Sequence, residues 1–142
     1  MKKILVLMFF FSALPSFSQD LLSAPANTTI DARIVEVFGD QLQQLVINDP
    51  KRLQDLNAIL FERSAILTIP QTPSEKFVKL SQMRLFNMYN PKLVHDQGYN
   101  KETFNILKYD LQFFAPVNRF YRIDNTDFVI AIYPPNDLRN KQ

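Results

Sequence analysis

In the first half of the chain, apolar residues from Ile34 to Leu45 recur at a helical spacing. They recur every three or four positions, which predicts a helix that buries Ile34, Phe38, Leu42 and Leu45. Thr28 or Thr29 is placed to cap the start of this helix. Gly39 lies inside the pattern and weakens it, because glycine disfavours a helix interior.

A second helix is predicted directly after the first. Asp49 and Pro50 make an N-cap and first-turn pair, so the helix is expected over about residues 50–63, and its apolar face holds Leu53, Leu56 and Leu60. Two helices joined this tightly predict a helical hairpin.

The middle of the chain carries weaker signals. The apolar run 65–69 ends at Pro70 and predicts a short strand. Thr72 and Glu75 have capping-box spacing, which favours a short helix, but residues 76–80 are equally consistent with an edge strand. Residues 81–102 show no clean period and predict a long loop, and such loops are often functional.

The last third predicts the sheet. Apolar and polar residues alternate over 104–114, with Lys108, Asp110 and Gln112 expected to face solvent, so this segment reads as a half-buried strand. Asp124-Asn125-Thr126 separates two further runs and predicts a β-hairpin. Residues 128–133 are apolar on both faces, which predicts a central strand. The expected architecture is α+β, with the N-terminal helical hairpin packed on a small, mainly antiparallel sheet.

The N-terminus has the layout of a secretory signal peptide. Lys2 and Lys3 precede the apolar run 4–14, and small residues precede a cut after Ser18 or Gln19. A membrane anchor is the alternative, but it needs about 20 apolar residues.

We therefore predict a signal peptide over residues 1–18, a flexible arm over 19–30, one domain over 31–135 and a disordered tail over 136–142. No cysteine lies at the cut, so no lipid anchor is expected. The processed protein is predicted to be exported without direct membrane insertion, to the periplasm or beyond it.

Charge and composition exclude several functions. The chain has 16 Lys plus Arg and 14 Asp plus Glu, so loss of Lys2 and Lys3 leaves 14 of each sign and no net attraction to nucleic acid. There is no cysteine for a thiol nucleophile or thiolate metal site. Two glycines cannot build a phosphate-binding loop. No cofactor or metal is predicted.

His95 is the only histidine and lies beside Asp96 in the stretch PKLVHDQGYN. A proton shuttle or single metal ligand is one interpretation, but adjacent side chains rarely converge on one ion. Asp96 and Gly98 are also typical turn residues, so the stretch is better read as a loop. A pair of Ser81 with His95, or a pair of carboxylates, would be needed for hydrolysis, and no motif supports either.

Aromatic residues are the better binding candidates. Tyr109, Tyr121 and Tyr133 fall on the predicted sheet, where they would either stack on a sugar or peptide or fill the core. The loop adds the remaining weak candidates, Phe86, Tyr89, His95 and Tyr99. A free sheet edge would also accept a partner strand.

Two stretches carry a resemblance. The leader ends in FSQ before an acidic residue, and FNILKYDLQFF is followed by YRIDNTDFVIAIYPP. These resemble a group of small, uncharacterised exported proteins of gliding Gram-negative bacteria that use type IX secretion. The resemblance implies a periplasmic location and a link to envelope machinery, and it implies no site residues.

Three function hypotheses follow. The first is a non-enzymatic periplasmic accessory or adaptor protein that binds a partner of the cell envelope, such as secretion or gliding machinery. The second is a glycan- or peptide-binding module that uses the sheet aromatics. The third is a small hydrolase, which requires a pocket that unites His95 or a carboxylate pair with a serine or water site.

Overall fold

The computed structural model of the chain describes residues 29–136. The predicted signal peptide, most of the predicted arm and the tail beyond Asn136 lie outside the described residues. The described part contains two α-helices and four strands, which confirms the predicted α+β class: α1 (Ala32–Phe38), α2 (Pro50–Phe61), β1 (Ser64–Thr68), β2 (Val78–Lys79), β3 (Arg119–Arg122) and β4 (Phe128–Ile132). No helix among these residues has both the length and the apolar character needed to cross a bilayer.

The first predicted helix is interrupted. Its N-cap is Asp31, whose side chain accepts a hydrogen bond from the backbone N of Arg33, so the predicted cap at Thr28 or Thr29 is wrong. α1 ends at Phe38 because Gly39 takes a positive φ of 47°, a conformation that favours glycine. A 3₁₀ turn (Gly39–Gln41) and a π-helical turn (Gln43–Ile47) follow.

The second helix forms as predicted at its start. Asp49 accepts a hydrogen bond from the N of Arg52, and Pro50 occupies the first turn. α2 ends at Phe61, two residues before the predicted end, and packs against the π-helical turn. Ile59 and Leu60 are its buried residues.

The sheet has the strand order β1-β4-β3-β2. β4 is central, as predicted, and pairs antiparallel with β1 and β3. β2 is a two-residue strand parallel to β3, so the edge-strand alternative for residues 76–80 is the one observed. The predicted hairpin turn is also present: Asn125 has a φ of 56°, and the O of Ile123 accepts a hydrogen bond from the N of Thr126 at 3.2 Å.

The predicted strand over 104–114 is wrong. The segment contains a 3₁₀ turn (Ile106–Lys108), and the N atoms of Leu111 and Phe113 then donate to the carbonyls two residues earlier, each at 2.8 Å. Such tight turns curl the chain away from a ladder. Leu107, Tyr109 and Leu111 are buried while Asp110 and Gln112 are exposed, as the pattern required. Lys108, expected in solvent, is buried.

One core joins the helices to the sheet. Its buried members come from α1, α2, the 3₁₀ turn Ile106–Lys108 and the two central strands. Among them are Ile34, Val37, Ile59, Leu107, Tyr121, Ile130 and Ile132. The curled segment from Leu107 to Phe114 passes in front of α2, and this placement creates the cavity described next.

Candidate binding pocket

An apolar pocket of about 340 Å³ lies between α2, the C-terminal end of α1 and the segment 107–114. This volume is at the lower end of the range for small-ligand sites. Its wall is formed by apolar and aromatic side chains, namely Val37, Phe38, Leu56, Ile59, Phe86, Leu107, Tyr109, Leu111, Phe113 and Phe114. We call this cavity the apolar pocket.

Phe114 lines the apolar pocket and is 61% exposed. Arg63 fixes the backbone next to Phe114. Its guanidinium donates to the O of Phe113 and, at 3.3 Å, to the O of Tyr133. The same guanidinium lies 5.4 Å from the centroid of the Phe114 ring. A large apolar ring is thus held in solvent by a buried cation instead of folding into the core.

The rim of the apolar pocket consists of paired charges. Lys51 contacts Asp55 at 2.9 Å, and Arg52 contacts Asp49 at 3.7 Å. Asp110, on the opposite side, pairs with Arg84 at 3.2 Å. Exposed pairs of this kind add little stability. An apolar floor inside a polar rim is the arrangement found at protein–protein contacts.

A second cavity, of about 450 Å³, has polar residues on its wall. We call it the polar cavity; it brings Ser81, His95, Asp96 and Asp124 to one place. The Oγ of Ser81 donates to Asp124 at 2.6 Å, and its N donates to the same carboxylate at 2.9 Å. Burial alone would raise the pKa of Asp124, but the two hydrogen bonds from Ser81, a backbone hydrogen bond of Asp124 itself and the nearby charge of Lys79 together outweigh burial and lower it.

Ser81 and His95 are not hydrogen-bonded to each other in the polar cavity. His95 is exposed and has no hydrogen bond to any residue between 29 and 136. The Ser81 hydroxyl donates to the Asp124 carboxylate and not to the His95 imidazole, so the cavity contains no hydrogen-bonded Ser–His pair among the described residues. It does bring a serine, two carboxylates and His95 together, as the hydrolase hypothesis requires.

Asp96 anchors the loop that carries His95. Its carboxylate accepts hydrogen bonds from the Nζ of Lys108 at 2.6 Å and from the hydroxyl of Tyr109 at 2.7 Å. Burial raises the pKa of Tyr109, so the phenol stays neutral and remains a donor. The stretch PKLVHDQGYN contains neither helix nor strand; this network, the buried Leu93 and the ring of Tyr99 tie it to the core.

The seven predicted site residues separate into three groups. Phe86 and Tyr109 line the apolar pocket, and His95 lies at the polar cavity. Tyr89 stacks on Phe38 at 5.3 Å, while Tyr99 packs on Phe104 and Phe128. Tyr121 is buried, its hydroxyl accepting from the N of Gln112 at 3.1 Å, and Tyr133 follows β4 half-buried. The sheet therefore presents no row of exposed tyrosines for stacking on a ligand.

Several pocket residues were not predicted as site residues, above all Leu56, Ile59, Phe113 and Phe114. One signal for them exists in the sequence. Two consecutive phenylalanines cannot both face the core of an alternating segment, so either Phe113 or Phe114 had to be exposed.

No group of three or more metal-ligating side chains occurs in the described range. Comparisons of the chain with protein-family models, with curated proteins and with solved structures found no match.

Proposed function

We propose that this protein is a non-enzymatic binding protein of the cell envelope, which holds an apolar side chain of a partner polypeptide in the apolar pocket. The observation that carries the proposal is the pocket itself: an apolar cavity of about 340 Å³ beside a phenylalanine that is 61% exposed. The location in the envelope rests on the signal-peptide layout of residues 1–18.

The form of the apolar pocket favours a polypeptide partner. Binding energy at protein interfaces comes from a few apolar anchors in water-excluding pockets, surrounded by polar residues that contribute little. Phe114 supplies an exposed ring at the mouth, and the pairs Lys51–Asp55 and Arg52–Asp49 supply the surrounding rim. A partner side chain would be buried among Leu56, Ile59 and Leu111, while its backbone would contact the charged rim.

The non-enzymatic part of the proposal is supported by the polar cavity. Its serine donates to Asp124, and Asp96 accepts from Lys108 and Tyr109, so both carboxylates are used in holding the fold together. Glycan stacking has less support, because Tyr109 and Tyr121 are only 2% and 4% exposed.

The test is site-specific photocross-linking in the native cell. A photoreactive phenylalanine replaces Phe114, and adducts are identified by mass spectrometry. The same group at exposed Val78, on edge strand β2, is the position control. The decisive comparison adds Leu56→Trp, which fills the pocket, or Gln54→Trp, which places the same ring on the exposed side of α2. We expect an adduct at position 114 that Leu56→Trp removes and Gln54→Trp retains. An adduct that is insensitive to Leu56→Trp, or that forms equally from position 78, would exclude the pocket as the binding site.

A further inference from the structure

Strand β1 is an edge of the sheet, and its backbone orientation can be derived from two hydrogen bonds to the neighbouring strand. The N of Tyr133 donates to the O of Arg63 at 2.8 Å, and the N of Ile69 donates to the O of Asp127 at 2.7 Å. Hydrogen-bonded positions alternate along an antiparallel ladder. Odd-numbered residues of β1 therefore bond to β4, and the even-numbered ones direct their N–H and C=O groups away from the sheet.

The outward residues are Ser64, Ile66 and Thr68. Their backbone N–H and C=O groups have no hydrogen-bond partner among residues 29–136. The Oγ of Ser64 bonds to the O of Ile59 and so leaves the backbone groups of this strand free. Six backbone groups in a row are thus available to another strand.

This edge lacks the usual protection. Natural edge strands are blunted by charged residues, proline or very short length. β1 has five residues without charge or proline, and the preceding Arg63 is buried, with its guanidinium turned to the O of Phe113 and the O of Tyr133. The opposite edge is protected, since β2 has two residues, one of them Lys79, and a 3₁₀ turn follows.

We infer that β1 pairs antiparallel with β1 of a second copy of this chain, across a two-fold axis that passes beside Ile66. In this register Ser64 lies opposite Thr68 of the second copy, and Ile66 lies opposite its own equivalent. Each of the three outward residues then exchanges two backbone hydrogen bonds with the residue opposite it in the second copy. All outward N–H and C=O groups of β1 are paired in this way. The two four-stranded sheets become one continuous sheet of eight strands.

A second copy fits this edge because the strand is chemically symmetric about Ile66. Hydroxyl residues lie at both ends, Ser64 and Thr68, and cross-strand hydroxyl pairs are favourable. On the other face, Ala65 lies opposite Leu67 of the second copy, so a small side chain meets a larger one. No like charges oppose each other on either face, and an isologous interface needs only this one self-complementary patch.

Sedimentation velocity over a concentration series tests the inference. The wild-type chain is expected to shift from monomer to dimer as concentration rises. Ile66→Lys places two ammonium groups opposite each other at the axis and should abolish the dimer, while Val78→Lys, the matched change at the other edge, should retain it. Leu56→Trp should also retain it, which separates this inference from the proposed function. A monomer at every concentration, or an Ile66→Lys variant that dimerises like wild type, would overturn the pairing.

Cysteine cross-linking tests the register without relying on a disruptive change. The chain contains no cysteine. Under mild oxidation Ile66→Cys should form a disulfide-linked dimer, because opposed residues of a hydrogen-bonded pair have Cα atoms about 5.5 Å apart. Ser64→Cys alone should not, since the two copies of residue 64 are offset by about 13 Å. Ser64→Cys mixed with Thr68→Cys should cross-link. Equal cross-linking of Ser64→Cys and Ile66→Cys would refute the proposed register.

Discussion

Arg122 and Glu75 form a two-pronged ion pair across 47 positions of sequence, and it ties β3 to the segment before β2. The Nε of Arg122 donates to Glu75 at 2.9 Å, its Nη2 donates to the second carboxylate oxygen, and its Nη1 donates to the O of Ile69 at 2.6 Å. Arg122 is only 1% exposed, and the ring of Phe77 lies beneath its guanidinium at 5.5 Å.

Replacing Arg122 with Met should destabilise the fold, because it removes the hydrogen bonds that Arg122 donates to Glu75 and to the O of Ile69. Urea denaturation measures the change. Arg119→Met, at the exposed start of the same strand, is the matched control and should change the free energy of unfolding by less than about 0.5 kcal/mol. Similar losses for both variants would show that the buried pair is not the cause.

The same pair predicts a dependence on pH. Hydrogen bonding from Arg122 lowers the pKa of Glu75 below its ordinary value of 4.5, so the folded state favours the carboxylate. The stabilisation is complete above pH 4.5 and is lost as the pH falls through the lowered pKa. We expect the difference in Tm between wild type and Glu75→Gln to be constant above that pH and to narrow below it. A difference that does not vary with pH would argue against this linkage.

Tyr109 should ionise later than an ordinary tyrosine. Burial raises its pKa above 10.0, so the folded state favours the neutral phenol, and this stabilisation is present at neutral pH and lost as the pH rises through the raised pKa. In an alkaline titration followed by the ultraviolet absorbance of phenolate, the wild-type chain should show a late step that accompanies unfolding. Tyr109→Phe should remove that step and destabilise the fold by about 1–2 kcal/mol, since Asp96 loses a donor. Tyr99→Phe should leave the late step in place.

The hairpin turn depends on Asn125, which holds a φ of 56°. Asn125→Gly should be close to neutral, because glycine adopts this conformation freely, whereas Asn125→Ala should cost about 1 kcal/mol. Thermal denaturation of the two variants gives the comparison. Equal Tm values for both would mean that the backbone conformation at this position does not limit stability.

Much of the fold could be predicted from local patterns. The start of α2 follows from Asp49 and Pro50, the hairpin from Asp124-Asn125-Thr126, and the central position of β4 from a run that is apolar on both faces. Each of these signals lies within a few neighbouring residues, which is where sequence patterns carry the most information.

The features that the sequence did not predict depend on contacts between segments that are distant in sequence. Alternation over 104–114 indicated the correct side for Tyr109, Asp110, Leu111 and Gln112, but it placed the buried Lys108 in solvent and predicted a strand where the chain forms tight turns. Lys108 gave no local sign that it would be buried, since its partner Asp96 lies in a loop that no period describes. The apolar pocket was missed because its wall combines α1, α2, Phe86 and the curled segment, which only the tertiary fold brings together.

The position of β4 in the sheet also sets an order of assembly. The strand that joins β1 to β3 is the last one among residues 29–136, and its pairing with β1 spans residues 64 to 132. Contacts this distant in sequence close slowly. β1 therefore has no strand beside it in this sheet until β4 has been synthesised. A chain cut before Phe128 would lose β4, and β1 and β3 would then lose the strand that joins them.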